Sequence, residues 1–78
     1  MSKNESLKST IHTIDNQYFL EEICYTEVLN RYKTQESSYW LGKYGSDHKV
    51  WVGQSATMNL EMAGERVRKM LERGIREF

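Results

Sequence analysis

The chain has 78 residues, with 11 lysines and arginines balanced by 11 aspartates and glutamates, one cysteine and no proline. This length allows one small domain, and the zero formal charge argues against a basic nucleic-acid-binding tail or an acidic mimic of DNA. The single Cys24 excludes an intramolecular disulfide and therefore the disulfide-stapled class of secreted proteins.

The chain shows neither an apolar run approaching the roughly 20 residues that span a bilayer nor the apolar region of a signal peptide. We therefore expect a cytoplasmic protein that makes no membrane contact. Because the sequence starts at Met1 and has no low-complexity segment, we also expect a complete small protein.

The first part of the chain gives the weakest pattern. Residues 1–9 are polar apart from Leu7, which predicts a mobile N-terminal arm followed by a single α+β domain over residues 10–78. Residues 10–14 are rich in β-branched side chains and predict a short extended piece. Asp15 is then expected to cap a short helical start at residues 16–22, after which the chain is extended.

A β-hairpin is predicted in the middle of the chain. Residues 38–44 and 48–53 are aromatic and β-branched, and the intervening Gly45-Ser46-Asp47 has the composition of a hairpin turn. The polar stretch 33–37 predicts a turn from a preceding strand. Together these segments predict an antiparallel sheet of two to three strands.

The C-terminal part predicts an amphipathic helix over residues 58–76. Its apolar residues, from Leu60 to Phe78, recur at the helical period, and Ser55 or Thr57 is the expected N-cap. Gly64 lies within the apolar arc, which predicts close packing against the sheet. The predicted fold class is therefore α+β, with a small antiparallel sheet and a C-terminal helix packed on one face.

Strand alternation divides the hairpin side chains between two faces. Trp40 and Tyr44 fall on the same face, and on the last strand Val50 and Val52 are expected to meet the helix. Trp51 then lies on the far face, which a two-layer domain leaves uncovered.

The sequence carries little support for catalysis or metal binding. The possible nucleophile and bases, Cys24, His12, His48 and Asp47, belong to no local catalytic signature. One cysteine and two distant histidines supply no zinc cluster, and the glycines are explained by turns and packing. We therefore expect neither enzymatic activity nor a metal or other cofactor.

The uncovered aromatic face predicts contact with another protein, because Trp, Tyr and Arg commonly anchor interfaces. We expect a small non-catalytic interaction module that occludes or regulates a partner protein as an inhibitor. Phage and mobile-element anti-defence proteins fall in this size class. A homodimer is a further expectation, since small domains often gain stability by association. The expected partner-binding residues are Trp40, Tyr44, Trp51, Lys43 and Lys49.

The first alternative is nucleic-acid binding by a basic flank of the C-terminal helix. Four cations at spacings of three and four residues would share that flank: Arg66, Lys69, Arg73 and Arg76. Against it, ion pairs such as Glu65–Lys69 would make the flank an ordinary solvated surface, and nucleic-acid binders usually carry net positive charge. The second alternative is a small-ligand site, for example for a nucleotide, at a dimer interface lined by Trp40, Trp51 and tyrosines.

Overall fold

Four strands followed by one helix make up the computed structural model, which describes residues 3–75. The elements are β1 (Lys3–Thr13), β2 (Tyr18–Leu29), β3 (Tyr32–Lys43), β4 (Lys49–Gln54) and α1 (Leu60–Arg73). The strands form one sheet in the order β1-β2-β3-β4, and each neighbouring pair is antiparallel. The α+β class is confirmed, and the sheet has four strands where two to three were predicted.

The helical start predicted at residues 16–22 was wrong, because strand β2 begins at Tyr18. Asp15 does act as a local cap, but of a turn: its Oδ1 accepts hydrogen bonds from the backbone N–H groups of Gln17 and Tyr18, at 2.7 and 2.8 Å. This Asx turn reverses the chain from β1 into β2. The predicted N-terminal arm, residues 1–9, coincides from Lys3 onward with strand β1, which pairs with β2 along its length.

The turn predicted at residues 33–37 was also wrong, because these residues lie inside β3. The reversal occurs at Asn30 and Arg31, which have φ angles of 51° and 71°. Two consecutive left-handed residues are the signature of a type I′ hairpin turn, whose twist matches that of the strands. Sequence reasoning missed this turn because Arg31 stands where glycine is usual.

The hairpin predicted around Gly45-Ser46-Asp47 is confirmed. The Ser46 N–H donates to the carbonyl of Lys43 at 3.0 Å, and Gly45 has a φ of 87°. Strand β4 is short, and a bulge interrupts its pairing with β3 between Tyr39 and Trp40. The bulge leaves β4 a short, irregular edge.

The helix is shorter than predicted, and its caps differ from the predicted ones. Asn59 is the N-cap, its side chain accepting from the Met62 N–H at 2.9 Å, and Gly74 closes the C-terminus with a φ of 77°. Gly64 is exposed, and no atom of the sheet comes close to it, so its predicted packing against the sheet was wrong. Phe78 lies outside the described residues.

The hydrophobic core lies between α1 and one half of the sheet. Ala63 and Val67 of the helix meet the buried side chains of Leu20, Tyr39, Leu41 and Val52. Val50 packs against this core, as strand alternation predicted for both valines. Burial raises the pKa of the Tyr39 phenol, and the nearby Glu22 raises it further.

The sheet extends well beyond the helix. We call residues 3–9, 23–29 and 32–38 the distal half; it contributes none of the fully buried core, and α1 packs on β2, β3 and β4 at the opposite end. The described molecule is accordingly elongated, with extents of 48 × 24 × 18 Å. Within the same range of residues, α1 is too short and too polar to cross a bilayer.

Replacement of Arg31 should test the strain in the type I′ turn. We expect Arg31→Gly to raise the free energy of unfolding by about 1 kcal/mol, because only glycine adopts a φ of 71° without steric cost. Urea denaturation at one fixed protein concentration measures the change. The matched control is Lys33→Gly, which places glycine inside β3 and should lower stability. Equal losses in both variants would contradict the turn assignment.

Candidate functional site

The candidate site is the sheet face opposite α1, which we call the open face. Leu20 and Leu41 are register partners in the core, so the residues between them along each strand point to the other side. The side chains on the open face include Leu7, Ser9 and Ile11 of β1, Phe19, Glu21, Ile23 and Tyr25 of β2, Glu36, Ser38 and Trp40 of β3, and Lys49 and Trp51 of β4.

Four aromatic residues gather at the hairpin end of the open face; we call Phe19, Trp40, Tyr44 and Trp51 the aromatic cluster. The rings of Phe19 and Tyr44 lie 4.9 Å apart and are tilted by 47°. Trp40 and Trp51 are register partners on adjacent strands. Trp51 is 51% exposed and Tyr44 is 48% exposed. The cluster therefore presents a large apolar surface to solvent.

Neighbouring residues contact three of the four aromatic side chains. The Phe19 ring occupies the space above Gly42, where any β-carbon would collide with it. The Trp40 indole N–H donates to Ser38 Oγ at 3.1 Å, and Tyr44 Oη lies 3.3 Å from Thr13 Oγ1. These contacts restrict the motion of the Phe19, Trp40 and Tyr44 side chains.

A buried carboxylate lies beside the cluster. Glu21 is only 7% exposed, its register partner is Trp40, and its carboxylate accepts hydrogen bonds from Lys49 Nζ and from Ser9 Oγ. The bond from Lys49, and then that from Ser9, hold the pKa of Glu21 below its ordinary value of 4.5, against the raising effect of burial. This network ties β1, β2 and β4 together across the open face.

The structure brings together four of the five residues predicted to bind a partner. Trp40, Tyr44, Trp51 and Lys49 all lie at the hairpin end of the open face. Lys43 is separated from them: its strand position puts it on the helix side, where its Nζ lies 5.9 Å from the centre of the Tyr18 ring. The binding role of these residues stays a prediction.

Sequence reasoning missed the contribution of β2 to this face. Phe19 and Glu21 were assigned to a helical start, so they were not placed beside the tryptophans. The sequence carries no clear signal for them, because Phe19, Glu21 and Ile23 and the intervening residues are both mixtures of apolar and polar types, so neither face is distinctly apolar.

The distal half of the open face is acidic. Glu5 and Glu27 are register partners, and Tyr25 Oη donates to the Glu27 carboxylate at 2.9 Å. The hydrogen bond to Glu27 is the main cause that raises the pKa of Tyr25 to about 12. Glu36 lies opposite Tyr25 on β3 and is exposed. The open face thus combines an apolar end and an acidic end.

The predicted basic flank lies on the other layer of the molecule. Arg66, Lys69 and Arg73 are exposed along α1, and Arg76 lies outside the described residues. Among residues 3–75, no salt bridge joins Glu65 to Lys69. Lys49 points to the open face and therefore lies apart from this flank.

A cavity of about 380 Å³ opens between the β1–β2 turn and the helix, and it is largely apolar. Its walls are Ile14, Gly64, Val67, Arg68, Leu71 and Glu72. The missing side chain of Gly64 leaves this space open. The cavity is remote from the tryptophans that were predicted to line a small-ligand site.

Comparison with models of protein families, with curated protein sequences and with solved structures finds no match to this chain.

The Glu21 network should make stability depend on pH. A carboxyl group whose pKa is lowered by folding stabilises the fold above its unfolded pKa, and this stabilisation is lost as the pH falls below about 4.5. We expect Glu21→Gln to lose less stability than the wild type between pH 7 and pH 3. Urea denaturation at several pH values measures the two slopes. Glu36→Gln, at an exposed position of the same face, is the control, and its stability should depend on pH as that of the wild type does. If the stability of Glu21→Gln also depended on pH as the wild type does, the network would be contradicted.

Proposed function

We propose that this protein is a small non-catalytic interaction module that binds a partner protein with its open face and thereby occludes a site on that partner. The observation that carries the proposal is the aromatic cluster, in which Trp51 and Tyr44 remain about half exposed. Phe19 and Thr13 contact Tyr44, and Trp51 lies opposite Trp40 on the adjacent strand. Exposed Trp and Tyr side chains are the residue types that dominate binding energy at interfaces.

The chemistry of the open face supports a protein partner of a particular kind. The aromatic cluster favours an apolar side chain on the partner, and the distal acidic end, with Glu5, Glu27 and Glu36, favours basic groups beside it. The interface would have an apolar centre and a charged rim, which is the usual anatomy of protein interfaces.

The shape of the face supports occlusion. The open face is a broad sheet surface whose hollows beside Leu7 and Tyr25 are open to solvent, so a module that binds through it covers what it binds. Because the Glu21–Lys49 pair already lies within the face, a partner need not desolvate an unpaired charge there. Inhibition or regulation of the partner is therefore the proposed consequence of binding.

Nucleic-acid binding is the second candidate, supported by the exposed Arg66, Lys69 and Arg73 along one helix. These cations and the open face lie on opposite layers, so the two functions can be tested by separate substitutions. The open face of the distal half, which carries Glu5, Glu27 and Glu36, would repel a phosphate backbone.

Truncation of Trp51 should weaken partner binding. The partner is first captured from host lysate with the tagged, nuclease-treated protein, and its affinity is then measured directly. We expect Trp51→Ala to raise the dissociation constant by about 30-fold or more, since the loss of an anchoring Trp costs about 2 kcal/mol or more. The control is Tyr32→Ala, which removes a 78% exposed ring at the far end of the sheet and should leave affinity unchanged. Equal affinity of both variants would overturn the proposed face.

The nucleic-acid alternative makes an opposite prediction. Arg66→Glu combined with Arg73→Glu should abolish retention on heparin and on DNA or RNA if the helix flank binds phosphates, and the affinity should fall steeply with salt. The proposed function instead expects this double variant to bind the protein partner as tightly as the wild type. Loss of partner binding in the double variant would indicate that the partner binds α1 and not the open face.

A further inference from the structure

The outer edge of strand β1 is long and regular enough to pair with another strand. Among the described residues, β1 ends the sheet order, and it pairs with β2 over 11 residues without a bulge. Proteins commonly protect such an edge with proline, a bulge or a short strand. The opposite edge strand, β4, has six residues and a bulge, whereas β1 is long and regular and carries charged side chains at Glu5 and Lys8 as its protection.

The hydrogen-bonding pattern shows which groups of β1 face outward. The Ile14 N–H donates to the Tyr18 carbonyl at 3.2 Å, continuing the β1–β2 register. Bonded pairs alternate along an antiparallel ladder, so the even-numbered residues of β1 bond to β2. The outward N–H and C=O groups consequently belong to odd-numbered residues, among them Leu7, Ser9 and Ile11. Their side chains lie on the open face.

The exposed area of the chain is larger than that of a typical monomer of the same mass. The chain exposes 6053 Å² at a mass of 9.3 kDa. A monomeric protein of this mass exposes about 5,000 Å², so this chain exposes about 1,000 Å² more. Each partner in a standard interface loses about 800 Å². The excess is therefore of the size that one dimer interface removes.

We infer that two copies of this chain pair antiparallel through β1 and form one continuous eight-stranded sheet. A two-fold axis perpendicular to the sheet keeps the two open faces on the same side and pairs odd residues with odd residues. The second copy supplies the same outward groups, which makes the edge self-complementary.

The side chains select the register of this pairing. Centring it on Ser9 places Leu7 of each copy opposite Ile11 of the other, which joins side chains that are 72% and 48% exposed in the single chain. A register centred on Lys8 would place the two Lys8 side chains, which carry like charges, opposite each other. A register centred on Leu7 would pair Leu7 of one copy only with Leu7 of the other. The structure therefore favours the axis at Ser9, with Lys8 opposite Thr10.

Trp51, the residue tested in the proposed function, is remote from this interface because it lies on β4, at the other edge of the sheet. Analytical ultracentrifugation of the whole protein over a range of concentrations tests the dimer. We expect a dimer in the wild type and a dissociation constant at least about tenfold higher in Ile11→Lys, which puts a charge opposite Leu7. Trp51→Ala is the matched control and should dimerise normally. A wild-type monomer throughout, or a dimer lost in Trp51→Ala but kept in Ile11→Lys, would overturn the inference.

Disulfide cross-linking tests the register directly. In a Cys24→Ser background, Ser9→Cys should form an intermolecular disulfide on mild oxidation, because paired residues have Cα atoms about 5.5 Å apart. Lys8→Cys and Leu7→Cys should form little intermolecular disulfide, because in this register the same residue of the second copy lies too far along the strand. Circular dichroism checks that each variant folds. Efficient cross-linking from residue 7 or 8 with none from residue 9 would overturn the Ser9-centred pairing.

Discussion

Helix α1 is much shorter than the sheet on which it packs, and the rest of the structure depends on this difference in length. Helix α1 has 14 residues, so it is about 21 Å long, whereas the 12-residue strands β2 and β3 reach about 40 Å. The helix can cover only one end of one face. Among residues 3–75, six hydrophobic side chains are consequently buried, and most of the open face and of the distal half remains available for contact.

The hydrogen bonds of Glu21 allow a charged group to lie within an apolar face that the helix does not cover. A carboxylate in the middle of such a face would be costly to bury alone, but Lys49 and Ser9 satisfy it from two different strands. The ion pair makes the face amphipathic while Trp51 and Tyr44 remain exposed. Its hydrogen bonds also fix β4 against β2, and this placement sets the position of Trp51. The network thus links the stability of the sheet to the geometry of the candidate site.

The C-terminal half could be predicted because its signals are local. Gly45-Ser46-Asp47 has hairpin composition, and the apolar residues of α1 recur at one clear period. The N-terminal half could not, because the distal parts of β1 and β2 bury neither face and therefore lack a strong apolar alternation. The turn at Asn30 and Arg31 has no glycine, so nothing marked the boundary between β2 and β3. Trp40, Tyr44 and Trp51 were placed on one face from the hairpin alone; Phe19 and Glu21 required the correct strand assignment.

The proposed dimer and the proposed partner binding reinforce each other because β1 and Trp51 lie at opposite edges of one sheet. In the eight-stranded dimer, the β3 strands of the two copies are separated by five strand spacings, about 24 Å. Each copy then contributes one aromatic cluster, and both clusters face the same side. A partner that is itself a dimer, or that repeats its binding segment, can engage both clusters at once, and the second contact is then intramolecular. Pairing through β1 would therefore increase the residence time on such a partner without any new contact at Trp51.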